Sequence, residues 1–94
     1  MNLPERVRLG ILGLAEKYHV SKVILFGSRA RGDNWERSDV DLAVTGGDVL
    51  RFSLDVDEDL PTLLMFDVVN LDGPVQEELL ESIRKEGIVL YEKS

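Results

Sequence analysis

Asp39 and Asp41 flank Val40, and that spacing is the first place where the chain could do chemistry. On an extended strand, residues two apart project from the same face, separated by two rises of ~3.3 Å. Carboxylates that close repel one another when both are ionised. A divalent cation relieves the repulsion, and Mg²⁺ takes oxygen ligands of this kind, completed by water and substrate phosphates. The plain alternative is the polar face of an exposed edge strand. Against it, Val40, Leu42, Ala43 and Val44 make most of the segment apolar and confine the acids to its beginning. That distribution fits a site at the edge of a sheet.

Asp67 is a third acid, set in the otherwise apolar run Met65-Phe66-Asp67-Val68-Val69. An aspartate there is costly without partners. It is either a hydrogen-bonded residue near a strand end or a third carboxylate beside Asp39 and Asp41. In the second case the three converge on two Mg²⁺ ions, which can stabilise both the attacking and the leaving oxygen of an in-line displacement.

Upstream lies Gly27-Ser28, followed by Arg29 and Arg31. A glycine after a strand lets the backbone turn sharply and lets a ligand approach. The N–H groups at a helix start attract anions. Ser28 adds a hydroxyl, and the two arginines add positive charge. The corner suits a triphosphate. Taken alone it is equally a capping turn with solvated arginines.

The elements that must carry these residues follow from periodicity. Val7, Ile11, Leu14 and Tyr18 recur at helical spacing from Pro4 to Tyr18. Val23-Ile24-Leu25-Phe26 is a short apolar run suited to a strand buried on both faces. Ser28 opens a helical turn, Arg29 to Gly32. Ser38 to Thr45 alternates, with Val40, Leu42 and Val44 on one face and Asp39, Asp41 and Ala43 on the other. Asp48 caps a second helix whose Leu50, Leu54 and Leu60 are expected to face the core and which Pro61 ends. Met65 to Leu71 is a third strand, and Asp72-Gly73-Pro74 a turn. Val75, Leu79, Leu80 and Ile83 mark a third long helix, closed by Gly87 at a C′ position. Ile88 to Tyr91 is a last strand. The fold class is α/β (α+β), in one domain over residues 1–94.

Bulk properties narrow the function. Eleven basic against 18 acidic residues leave a net charge of −7. Nucleic-acid binding draws most of its affinity from Lys and Arg on phosphates, so no stable nucleic-acid binding is expected, and a basic or neutral protein partner is favoured. The absence of cysteine removes disulfides, zinc–thiolate sites and thiol catalysis. No apolar run nears the ~20 residues of a membrane span, and the expected location is the cytoplasm.

Gly27-Ser28, ten intervening residues and Asp39-Val40-Asp41 resemble the signature of the DNA polymerase beta-like nucleotidyltransferase superfamily. Within it, Gly27-Ser28-Arg29-Ala30-Arg31-Gly32 and Ser38-Asp39-Val40-Asp41-Leu42 resemble the minimal nucleotidyltransferases, antitoxins that act beside helical, ribonuclease-like HEPN toxins. The resemblance covers nearly the whole chain, including Phe66-Asp67-Val68-Val69. It implies a small mixed sheet of about four strands with helices packed on it. It implies that Gly27 and Ser28, with Arg29 and Arg31, bind the nucleoside triphosphate. Asp39 and Asp41 would ligate two Mg²⁺ ions, and Asp67 would complete one metal site and help deprotonate the attacking hydroxyl. The implied reaction moves AMP from ATP to a tyrosine of a cognate HEPN-type toxin, with pyrophosphate leaving and the chain assembled with that toxin. Trp35 in the variable turn, and Asn70 where an acid is often found, depart from the pattern without removing a named ligand.

Two other readings stay open at this level. The acidic excess, with the run Asp55, Asp57, Glu58 and Asp59, fits a non-catalytic module that masks a basic toxin, although a solvated helix face explains the run more simply. The acceptor could also be a small molecule or an RNA end. Trp35 is read as an exposed or half-packed turn aromatic, His19 as a surface residue, and Glu77, Glu78, Glu81 and Glu86 as helix surface.

Overall fold

A central strand with neighbours on both sides organises the molecule. The computed structural model describes residues 1–60 and 62–93. The elements are α1 (Glu5–Lys17), β1 (Lys22–Phe26), α2 (Ser28–Arg31), β2 (Val40–Thr45), α3 (Val49–Asp59), β3 (Phe66–Asn70), α4 (Glu77–Glu86) and β4 (Ile88–Glu92). The sheet order is β3-β2-β1-β4. β1 pairs antiparallel with β2 and β4, and β2 pairs parallel with β3. The sheet is thus mixed, as expected. None of the described helices is long and apolar enough to cross a membrane.

Alternation along the strands splits the core between two faces. Val23 and Leu25 of β1 and Val40, Leu42 and Val44 of β2 pack with Val7, Ile11 and Ala15 of α1 and with Val49, Phe52 and Val56 of α3. On the other face, Phe26 and Ala43 pack with Ile83 of α4, joined by Ile24, Val69, Leu71 and Leu79. Asp39, Asp41 and Ala43 alternate onto this second face.

Of the two glycines inside α1, Gly10 has a packing reason and Gly13 has none, its missing side chain facing open space. Gly10 weakens α1 by about 1 kcal/mol relative to alanine, but a side chain there would run into Leu60 at the end of α3. The close approach of α1 and α3 offsets the lost propensity. Gly87 corrects an expectation. It ends α4 in extended backbone, φ −67° and ψ 141°, so no left-handed C′ turn selects it. A side chain there would instead collide with the Ile83 carbonyl and with Ile24 Cγ2.

The second expected core stripe is also corrected. Leu50 and Leu54 are exposed, while Val49, Phe52 and Val56 are buried and Leu60 alone of the expected three faces the core. α3 carries two apolar stripes about one residue out of phase. The stripe with Phe52 faces inward because an aromatic ring buries the larger area. Pro61, expected to end this helix, lies outside the described residues. Asp55 of the acidic run is not simply solvated: it accepts a hydrogen bond from the Tyr18 hydroxyl and lies 3.7 Å from Lys17 Nζ. Asp57, Glu58 and Asp59 are exposed, as is His19.

Candidate active site

The site is assembled by register. Asp41 is paired with Phe26 of β1 on one side and with Asp67 of β3 on the other. Paired residues on neighbouring strands, about 4.8 Å apart, share a face. Asp41 and Asp67 therefore stand side by side. Asp39 precedes β2 on the same face by alternation, and it is exposed. Asp67 is exposed too. Its apolar sequence neighbours suggest a costly buried acid, but β3 is the edge of the sheet, where one flank meets solvent.

Gly27 follows β1 directly, at φ +76° and ψ −158°, a region open essentially to glycine. A side chain at this position would occupy the space held by Asp41 Oδ2. The glycine thus serves the turn and leaves room for the Asp41 carboxylate. Ser28 begins α2, half-buried, beside that opening. α2 spans only four residues, Ser28–Arg31, and the chain leaves it through Gly32 in the left-handed region at φ +85°.

The arginines divide. Arg31 is half-exposed, with Nε 3.0 Å from Asp33 Oδ2 and Nη1 2.5 Å from Glu86 Oε2. It is near enough to Asp41 to favour that carboxylate's ionised form. Arg29 is placed differently from the expectation that it meets the triphosphate. It is only 3% exposed. Its guanidinium donates to the carbonyls of Ser38 (Nε, 3.0 Å), Asn2 (Nη1, 3.0 Å) and Glu36 (Nη2, 3.1 Å). Arg29 is therefore an internal clamp, holding the N-terminal segment to the loop that delivers Asp39. With its guanidinium nitrogens committed to three main-chain carbonyls, the side chain is held inward and away from solvent.

Glu86 is the residue that sequence reasoning misses. It reads as helix surface, yet the end of α4 brings it to Arg31 and into electrostatic reach of Asp41. Nothing local in the sequence marks it, because only the packing of α4 on the sheet makes the contact.

Burial and the neighbouring charges of Asp67 and Asp39 hold the Asp41 carboxyl above its ordinary value of 3.8, with Arg31 opposing them. Among the described residues, no group of three or more His, Asp or Glu side chains is drawn closely enough together to hold a metal ion as it stands.

The raised Asp41 value has a consequence for stability. The folded chain binds the Asp41 proton more tightly than the unfolded chain, so stability falls as pH rises through the folded value. Below the unfolded value the penalty is absent. Asp41→Asn is therefore expected to melt at a higher temperature than the wild type at pH 7 in a chelating buffer. The gain should shrink as pH falls through the raised folded value and be gone below about 4. Melting curves across pH check this, and a gain that persists unchanged at low pH would assign it to something other than charge.

The chain is similar to several known proteins. The profile of the family described as polymerase beta, nucleotidyltransferase matches residues 11–94. A candidate protein adenylyltransferase of Methanocaldococcus jannaschii is 33% identical over 103 residues, covering 97% of this chain and 100% of its own. The structure of a candidate minimal nucleotidyltransferase superimposes with a TM-score of 0.66 at 32% identity, over 86% of each chain. A toxin–antitoxin structure with AMP-PNP gives a TM-score of 0.73 at 23% identity, over 92% of this chain and 73% of that one, and shares the fold.

Proposed function

Since this chain belongs to the polymerase beta nucleotidyltransferase family, and is thus a nucleotidyltransferase, we propose that it transfers AMP from ATP to a tyrosine hydroxyl of a partner protein. The partner in this reading is a cognate HEPN-type toxin, which the modification silences. The observation that carries the proposal is the register of Asp41 with Asp67, beside the opening left by Gly27. The M. jannaschii relative named for protein adenylylation and the fold shared with toxin–antitoxin structures support the choice of acceptor.

The residues fit a divalent metal. Asp39, Asp41 and Asp67 offer only hard oxygen donors on one face, and Asp41 already carries the repulsion that a cation would remove. Mg²⁺ bound there would polarise the phosphates and stabilise charge on the entering and leaving oxygens. Asp39 and Asp41 would hold it, with Asp67 at the acceptor side. Gly27 and Ser28 face the triphosphate at the turn after β1. Arg31 neutralises phosphate charge once it exchanges its carboxylate partners for the nucleotide. Asp67 accepts the proton of the attacking hydroxyl, the new bond forms to the α-phosphorus, and pyrophosphate departs. Arg29 takes no part in binding and keeps the Asp39 loop in place.

Incubating the chain with labelled ATP, Mg²⁺ and the product of the neighbouring gene tests the proposal. Label is expected on a tyrosine of that product. Its absence, with both proteins folded, would overturn the reading.

A second reading has one observation behind it. Leu50 and Leu54 form an exposed stripe on α3 next to Asp57 and Glu58, a surface suited to covering a basic, amphipathic helix without catalysis. A double substitution of Asp39 and Asp41 that still neutralises the partner in cells would favour this masking role.

A further inference from the structure

Apolar side chains lead up to Asp67 from outside the sheet. Leu63, Met65 and Asp67 alternate with less exposed neighbours and lie on one face of an extended segment. Leu63 is 101% and Met65 68% exposed. Trp35, 78% exposed, stands on the loop that runs into Asp39. Its main chain is fixed there by a hydrogen bond from Trp35 N–H to Ser38 Oγ (3.0 Å) and by one from Ser38 N–H to the Trp35 carbonyl (3.0 Å). Between the two segments runs a groove of about 400 Å³ lined by Glu36, Arg37, Thr62, Leu63, Leu64 and Met65. Large apolar groups left exposed along such a groove, here Leu63 and Met65, mark a contact surface more often than a solvated one.

The strand itself narrows what could lie there. β3 is at the edge of the sheet. The Met65 carbonyl accepts from Val40 N–H at 2.9 Å and Leu71 N–H donates to the Val44 carbonyl at 2.9 Å. By alternation, the main-chain groups of Phe66 and Val68 then point away from β2. An outward edge of this kind pairs with another extended main chain. From Leu63 to Asp67 is about 13 Å at ~3.3 Å per residue, a span covered by several residues of polypeptide and not by one small ring system.

We infer that Leu63 and Met65 form the docking track of the acceptor: an extended polypeptide segment lies along residues 63–67, with an apolar side chain in the groove and its hydroxyl beside Asp67. This rests on the proposed transfer to a protein hydroxyl and adds what flanks that hydroxyl. The substrate is an exposed segment with an apolar residue a few positions from the modified tyrosine.

The test uses the whole chain and its double variant Leu63→Ser/Met65→Ser. Both side chains are exposed, so melting temperature and ATP affinity should not change. The probes are short synthetic peptides with one tyrosine flanked either by leucine and phenylalanine or by serine, together with the neighbouring gene's product. The wild type should label the apolar peptide with a kcat/KM at least about tenfold above the serine peptide. The double variant should lose that preference, and its KM for the protein acceptor should rise by a similar factor with kcat retained. Equal labelling of the two peptides, or a preference and KM unchanged in the variant, would overturn the track while leaving protein adenylylation intact. Self-association of the wild type abolished in the variant would assign the track to a second copy and overturn the acceptor assignment. No label on any polypeptide would remove the proposed function itself, and the track's role with it.

Discussion

Asp39→Asn is expected to slow nucleotidyl transfer about a thousandfold or more while leaving the fold as stable as before. Asparagine keeps the shape and removes the charge. A neutral amide is a poor ligand for Mg²⁺, and metal stabilisation of transition-state charge is worth several kcal/mol. At ~1.4 kcal/mol per tenfold in rate, a loss of about 4 kcal/mol gives the thousandfold. The fold should tolerate the change because Asp39 is exposed and precedes β2, so no packed neighbour depends on it. Single-turnover transfer with saturating ATP, measured beside a thermal melt, separates the two quantities. Activity within tenfold of the wild type would remove Asp39 from the proposed metal site. Asp41→Asn should lose activity to a similar degree, but unlike Asp39→Asn it should also gain stability at neutral pH. That contrast follows from burial, which is partial at Asp41 and slight at Asp39. Relief of stored repulsion on removing a site residue is a familiar form of the trade between stability and activity.

Arg29→Ala should cost about 3–5 kcal/mol of folding stability, large for a chain of this size. Three main-chain carbonyls, on Asn2, Glu36 and Ser38, lose their donor together. Hydrogen bonds from a charged donor are worth ~1.5–3 kcal/mol each. Water entering the vacated space returns part of that sum. The melting temperature should fall by about 15 °C or more at ~4–8 °C per kcal/mol for a domain this small. Among the described residues no carboxylate pairs with Arg29, so the charge is compensated by carbonyl dipoles alone. Lysine offers a point charge without the planar fork and should recover only part of the loss. Chemical denaturation of the three forms measures this, and a cost below about 1 kcal/mol for alanine would show that the clamp contributes little. Transfer activity at low temperature should also drop in Arg29→Ala, since the clamped loop leads into Asp39.

Much of the site is legible in the order of the residues. The alternation of Val40, Leu42 and Val44 against Asp39, Asp41 and Ala43 puts both acids on one face, and the strand obeys it. Gly27 reads as a turn with room for a ligand, and the fold gives it a backbone only glycine takes up and a carboxylate in the space of its missing side chain. The limits are equally specific. Arg29 and Arg31 are two residues apart with the same chemistry, yet one is buried against carbonyls and the other is half-exposed among Asp33 and Glu86. On α3, Leu50 and Leu54 make as good a helical stripe as Val49, Phe52 and Val56. Choosing between them requires knowing where the sheet and α1 stand.

By itself, then, the sequence determined what short-range geometry controls: element types, the shared face of Asp39 and Asp41, the glycine turn before Ser28, and a family signature written in local spacing. Tertiary structure alone decided the pairing of Asp41 with Asp67, the exposure of Asp67 at a sheet edge, the inward turn of Arg29, the arrival of Glu86 and the apolar approach past Leu63 and Met65. The physical reason is range. A strand's alternation is set by its own backbone over a few residues. Which strand lies beside it, and what a long side chain finds when it gets there, depend on partners tens of residues away.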